Sequence, residues 1–148
     1  MVITKNLVCL NRPERTKDAI LDALCAKAVE AGRIADVQGY REAVAKREEE
    51  FSTALGYLVA LPHGQSDAVT TPFVAVATTS EAFRWDDRSE NLVRLVFMIG
   101  VPLKNRENTH LRILANISRK LMEDEFREKL LSLNDTEEAF ALLSSIEA

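Results

Sequence analysis

His63 combines a reactive side chain with neighbours that hold the backbone in place. It stands between Pro62 and Gly64, directly after the apolar run from Tyr57 to Leu61. Proline fixes its own φ and glycine permits close backbone approach, so a tight loop after a buried strand is predicted here. Ligands of α/β folds lie at such strand ends, and a neutral imidazole nitrogen is a good nucleophile near neutral pH. A histidine in an ordinary surface turn is the alternative interpretation.

Arg47 is predicted to be the single charge on the inward stripe of a helix that Asp36 caps. The other members of this stripe are apolar or aromatic: Val37, Tyr40, Val44 and Phe51. The neighbouring charges are predicted to face water: Lys46, Glu48, Glu49 and Glu50. Burying an unpaired charge is costly, and an anion such as a phosphoryl group, held by the planar guanidinium, would explain the arginine. An arginine that snorkels at the helix end, or pairs with a glutamate, is the alternative.

Three more polar residues are candidates for the same site. His110 follows Thr109, which can cap a helix, so it is predicted at a first turn whose backbone N–H groups can hold an anion. A core or boundary histidine is the alternative. Ser52 and Thr53 follow the Arg47 helix, and their hydroxyls either contact a phosphoryl group or satisfy the chain as it leaves the helix.

The elements that must position these residues alternate between helices and buried strands. Thr16 and Gly32 are predicted to start and stop a first helix, and the last third of the chain is helical, with Asp135 or Thr136 as a cap. The continuous apolar runs are predicted to be strands covered on both faces: 7–10, 57–61, 73–77 and 92–101. Helices before, between and after buried strands predict a single-domain α/β sandwich.

The bulk composition excludes several classes of protein. The 148 residues fit one domain, 1–148, with a net charge of −4, which argues against nucleic acid as the main partner. Two cysteines without a CxxC motif, and two distant histidines, favour neither a disulfide scaffold nor a structural metal site. No signal peptide or membrane-spanning run is visible, so a cytoplasmic location is expected.

The segment from Arg47 to Gly64 reads RExxxSTxxGxxxAxPHG. It closely resembles the active-site signature of the fructose/mannitol-type (type 2) enzyme IIA domains of the bacterial sugar phosphotransferase system. Residues 93–102 resemble the later core strand of that family, and His110 with the helix to Leu121 resembles its second histidine segment. Between Gly56 and Val59, where relatives often carry a small polar residue and a second glycine, this chain has Tyr57 and Leu58.

The resemblance implies an α/β sandwich with a mixed central sheet flanked by helices. It also implies a phosphotransferase that needs no metal or organic cofactor. His63 would accept a phosphoryl group from the phosphocarrier protein HPr, or from a nitrogen-system counterpart, and pass it to a IIB domain. Arg47 and His110 would stand beside it, with Ser52 and Thr53 in support. The membrane would be involved only indirectly, through a sugar permease, and the oligomeric state stays open.

Two other functions remain open at this point. A regulatory, nitrogen-type IIA module would control partner proteins through its phosphorylation state and would use the same His63. A binding domain without phosphoryl transfer is the third possibility. The presence of Arg47, His63 and His110 argues against it, and the departure at Tyr57 and Leu58 is its only support.

Overall fold

The computed structural model describes residues 2–104 and 109–147, and for residues 109, 110 and 147 it describes the backbone alone. The strands of the described part are β1 (Val8–Arg12), β2 (Ala54–Gly56), β3 (Leu58–Ala60), β4 (His63–Gln65), β5 (Phe73–Arg84) and β6 (Leu92–Val101). Its helices are α1 (Lys17–Glu30), α2 (Val37–Glu50), α3 (Thr109–Leu121), α4 (Asp124–Ser132) and α5 (Thr136–Ser144). Short 3-10 turns precede β1 and follow α5.

The strands form one mixed sheet in the order β1-β5-β6-β3-β2, and β4 also pairs with β6. The pairs β1–β5, β3–β6 and β4–β6 are parallel, whereas β5–β6 and β2–β3 are antiparallel. Strand β6 therefore lies at the centre, with β5 on one side and β3 and β4 in succession along the other. The predicted mixed sheet is confirmed.

Helices cover both faces of this sheet. Alternate residues of β5 and β6 point to opposite faces because side chains alternate along a strand. One set, which includes Ala75, Ala77 and Met98, packs with buried residues of α1 and α2. The other set, which includes Val74, Val76 and Phe97, packs with buried residues of α3, α4 and α5. The α/β sandwich predicted from the continuous apolar runs is confirmed.

The predicted helix ends are set by local hydrogen bonds. Thr16 accepts from the backbone N–H of Ala19, and Asp36 accepts from that of Gly39. Asp135, one of two predicted caps, accepts from the backbone of α5. Gly32 has a φ of 74° just after α1, a conformation that glycine adopts without steric cost. Within the described ranges, none of these helices combines the length and apolar character needed to cross a membrane.

Two local predictions are wrong. His63 does not lie in a loop but is the first residue of the short strand β4, which pairs with β6. The inward stripe of α2 is also narrower than predicted, because Val37 and Phe51 are exposed and Phe51 lies just beyond the helix end. The buried residues of α2 are Tyr40, Val44 and Glu48, which follow one another at four-residue intervals.

Candidate active site

Backbone contacts with β6 fix the position of His63. Its Cα pairs with that of Ile99 in β6, and the backbone N–H of Ile99 donates to the carbonyl of Pro62 at 2.9 Å. The half-buried imidazole places Nδ1 2.9 Å from the carbonyl oxygen of Leu61. A carbonyl oxygen can only accept, so this contact requires the proton on Nδ1 and leaves the ring lone pair on Nε2. The ring is thus held in the tautomer that carries its lone pair on Nε2.

Arg47 shares a cavity with His63. The cavity has a volume of about 270 Å³ and is lined by Ala43, Arg47, His63, Gly64, Gln65, Ile99, Val101, Leu111 and Leu114. Arg47 is half-buried in the last turn of α2, and its Nη1 donates to the carbonyl of Phe51 at 3.0 Å. Since a guanidinium carries five N–H donors, this contact uses only part of its capacity. The structure therefore brings together the predicted nucleophile and the predicted anion-binding arginine.

Gly64 allows α2 to lie directly against β4. A Cβ atom added at this glycine would lie 3.2 Å from the Cβ of Ala43, and 3.2 Å from both Cγ2 and the backbone nitrogen of Val44. The absence of a side chain thus lets the helix backbone approach the strand that begins with His63. Arg47 is one turn further along the same helix, so this close approach sets its distance from the imidazole.

Tyr40 ties α2 to β6 beside the same site. Its hydroxyl donates to the carbonyl of Ile99 at 2.7 Å, and the whole side chain is buried. Burial raises the pKa of Tyr40 well above its ordinary value, because the phenolate would lose its hydration. Tyr40 therefore stays a neutral donor, and it fixes the helix against the β6 residue that faces His63.

Ser52 and Thr53 do not line the cavity. The Oγ of Ser52 accepts from the backbone N–H of Ala54 at 3.3 Å. Thr53 is only 3% exposed, and its hydroxyl donates to the carboxylate of Glu48. Both hydroxyls thus hydrogen-bond near the start of β2, and the structure does not bring them to the His63 ring.

Glu48 is the functional candidate that sequence reasoning missed. It was predicted to face water, and that prediction is wrong because its side chain is 6% exposed. Its carboxylate accepts from the Nε1–H of Trp85 at 3.2 Å and from the backbone N–H of Thr53 at 3.4 Å. The four-residue spacing from Tyr40 and Val44 was the signal in the sequence. The run of three glutamates hid that signal, because such runs are usually solvated.

The side chain of His110 lies outside the described residues, as does the predicted cap made by Thr109. The backbone of α3 begins at Thr109, and Leu111, the residue after His110, lines the cavity that contains His63. Within the described part of the chain, no group of three or more histidine, cysteine, aspartate or glutamate side chains is arranged to hold a metal ion.

Comparisons with known proteins show the family of the chain. The model of the family "Phosphoenolpyruvate-dependent sugar phosphotransferase system, EIIA 2" matches residues 1–146. The fructose-specific EIIA component of Haloferax volcanii is 36% identical over 140 residues, covering 95% of this chain and 90% of that protein. The fructose-specific EIIABC component of Bacillus subtilis is 32% identical over 130 residues, covering 88% of this chain but 20% of that protein.

A solved structure shares the fold. It is the complex of enzyme IIAMTL with phosphorylated enzyme IIBMTL from Escherichia coli, and the match has a TM-score of 0.80 at 22% identity. The match covers 95% of each chain.

Proposed function

The chain belongs to the EIIA 2 family of the phosphoenolpyruvate-dependent sugar phosphotransferase system, and we propose that it carries a phosphoryl group on Nε2 of His63. Members of this family are phosphotransferases that pass phosphate between proteins, in the service of sugar transport. We propose HPr as the donor, a IIB domain as the acceptor, residues 1–148 as one EIIA domain and the cytoplasm as its location. The observation that carries the proposal is that His63, whose Nδ1 contacts the Leu61 carbonyl, lines the same cavity as Arg47.

The tautomer of His63 dictates the transfer step. The lone pair of Nε2 attacks the phosphorus of phosphorylated HPr, and a new N–P bond forms as the bond to the donor breaks. The electron pair of the broken bond leaves with the donor. The ring gains positive character during attack, and the Leu61 carbonyl stabilises it through the Nδ1–H bond. Passing the group to the IIB domain reverses these roles, with the IIB nucleophile as the attacking atom.

Arg47 and the start of α3 supply the charge that the transfer needs. Phosphoryl transfer through a loose transition state relies on in-line positioning and on charge stabilisation around the phosphoryl oxygens. Arg47 lies in the same cavity as His63 and offers guanidinium donors to those oxygens. We assign His110 to the same cluster, because its backbone occupies the first turn of α3 next to Leu111. Ser52 and Thr53 support the site through the backbone, not as phosphoryl ligands.

A IIB acceptor and a role in transport are supported by the named relatives. The Bacillus relative is named for an EIIABC component, and the solved structure of similar fold is a IIA–IIB complex. The Haloferax relative is named as a fructose-specific EIIA component. Transport is therefore preferred to the regulatory function, and the assay below compares the two donors.

The test is incorporation of radiolabel from phosphorylated HPr, run side by side with the phosphorylated nitrogen-system counterpart. We expect fast labelling from HPr, no labelling of His63→Ala and slower labelling of Arg47→Ala, with both variants folded. Lys46→Ala, an exposed cation one residue away, serves as the matched control and should label as the wild type does. Full labelling of His63→Ala would overturn the assignment, and faster labelling from the counterpart would favour the regulatory function.

A further inference from the structure

A buried carboxylate lies at the centre of a polar cluster behind the candidate site. Glu48 accepts hydrogen bonds from the hydroxyl and the backbone N–H of Thr53 and from the indole of Trp85. The Nζ of Lys17 is 3.8 Å from the same carboxylate. All these partners donate, so the acceptor-only carboxylate satisfies each of them. Satisfied polar clusters of this kind rigidify the segments that they join.

The cluster connects to His63 through one backbone hydrogen bond and one hydrogen bond from the imidazole to a backbone carbonyl. The carbonyl of Thr53 accepts from the N–H of Leu61 at 3.0 Å. The carbonyl of Leu61 then faces Nδ1 of His63 at 2.9 Å. Holding Thr53 thus holds the N–H of Leu61, and the carbonyl of the same residue selects the tautomer of the His63 ring. The path from the carboxylate to the imidazole consists of Glu48, Thr53, Leu61 and His63.

Glu48 also lies beside Arg47, the candidate phosphoryl-binding residue. It is the residue after Arg47, in the last turn of α2. The guanidinium of Arg88 donates to the carbonyls of Glu48 and Glu49 at 2.5 Å each, and so satisfies two carbonyls at the helix end. Arg88 therefore fixes the helix end that presents Arg47, while the cluster holds the segment that precedes His63.

We propose that Glu48 is a positioning residue for the phosphoryl transfer. By fixing Thr53 it orients the Leu61 carbonyl, which keeps the proton of His63 on Nδ1 and the lone pair on Nε2. This inference rests on the proposed function of His63. Glu48 itself does not line the His63 cavity, so it acts through the backbone and not on the phosphoryl group.

The test is the tautomer of His63 in the full chain, measured from the ¹⁵N shifts of its ring nitrogens. The chain has two histidines, so the His63→Ala variant assigns the signals. In wild type we expect the Nδ1–H tautomer. Glu48→Gln replaces one acceptor oxygen by an N–H donor that faces other donors, and we expect a mixture of both tautomers. We also expect labelling from phosphorylated HPr to slow by about tenfold to a hundredfold, as misplaced reacting groups do.

Glu49→Gln is the matched control. It makes the same change at an exposed position on the same helix turn, and it should keep both the tautomer and the rate. Should Glu48→Gln fail to fold, Thr53→Val removes the hydroxyl that bonds the carboxylate and should shift the tautomer, whereas Thr53→Ser should restore it.

An unchanged tautomer in a folded Glu48→Gln or Thr53→Val variant would overturn the inference. The tautomer measurement needs no donor protein, so this result is distinct from failure of the proposed function. That failure would be seen as wild-type protein that takes no label.

Discussion

Replacing Gly64 with alanine would place a methyl group between β4 and α2. Gly64 is not among the residues with positive φ, so alanine can adopt its backbone conformation. The new Cβ would lie 3.2 Å from three atoms of Ala43 and Val44, one of them the helix backbone nitrogen of Val44. Ordinary contacts of a methyl carbon are at about 3.5–4.0 Å. The helix must therefore move away from β4 by a few tenths of an ångström.

The free energy of unfolding should fall modestly. Overpacking costs about 1–3 kcal/mol, while alanine restricts the unfolded chain and returns roughly 0.4–1 kcal/mol. The net loss is about 0–2.6 kcal/mol, and each kcal/mol lowers Tm by about 2–4 °C in a chain of this size. The variant should thus remain folded at 25 °C.

Transfer should slow as well as stability fall, because the displaced helix carries Arg47. We expect labelling from phosphorylated HPr to slow by about tenfold at a temperature where the variant is fully folded. Gly32→Ala is the control. Gly32 has a φ of 74° with nothing within 4 Å of an added Cβ, so its cost is backbone strain of about 1–2 kcal/mol, away from the cavity. If Gly64→Ala transferred as fast as Gly32→Ala, the contact between α2 and β4 would not set the geometry of the site.

Two further predictions concern residues away from the His63 cavity. Tyr57→Asn should raise the free energy of unfolding in urea titrations by about 0–1.5 kcal/mol. Asparagine tolerates the φ of 57° and so relieves about 1–2 kcal/mol of strain, whereas the 75% exposed tyrosine loses its stacking on Arg127, worth about 0.5–1 kcal/mol. A destabilised variant would show that this stacking outweighs the strain. Burial raises the pKa of Cys25 to about 11 from an ordinary 9.0. Between these pH values the thiol ionises in the unfolded chain but not in the folded one. The free energy of unfolding therefore falls as pH rises, by up to about 1.4 kcal/mol per pH unit. Urea titrations from pH 8 to 10.5 should show a shallower fall in Cys25→Ala, and parallel curves for the two proteins would contradict the assignment.

The features that were predicted correctly from the sequence are those set by residues close together in the chain. The caps at Thr16 and Asp36 depend on residues three positions apart, and both form as predicted. Strand β6 coincides with its apolar run, Leu92–Val101, because a strand buried on both faces needs apolar residues throughout. These features are readable because the residues that cause them are near neighbours in the chain.

Strand β4 could not be predicted in the same way. Its residues, His63 to Gln65, have no apolar pattern, and they form a strand because Pro62 and His63 align with Ile99 of β6. That register depends on a strand more than thirty positions away. Burial of Glu48 was missed for a different reason. Its four-residue spacing from Tyr40 and Val44 was a local signal, but the run of three glutamates indicated a solvated face.

Tyr57 and Leu58, where this chain departs from the family signature, adopt an unusual backbone conformation. Both residues have positive φ, 57° and 67°, in the tight turn between Gly56 of β2 and Val59 of β3, which pair with each other. Such a loop favours glycine or asparagine, so this chain accepts strain there. Leu58 pairs with Val93 near the start of β6, whereas His63 pairs with Ile99 six residues later, about 20 Å along the strand. The loop therefore leaves the groups of the His63 cavity in place.

The orientation of α2 about its own axis determines where both Arg47, which was predicted, and Glu48, which was missed, point. Consecutive helix residues are about 100° apart, so Arg47 and Glu48 cannot share a face. Tyr40 anchors one end of the helix on the Ile99 carbonyl, and Glu48 anchors the other end on Thr53. With both anchors in place, Arg47 can point only toward the cavity that contains His63. A rotation that exposed Glu48 would break both anchors and carry the arginine away from the imidazole, so the buried carboxylate and the cavity arginine must be retained or lost together.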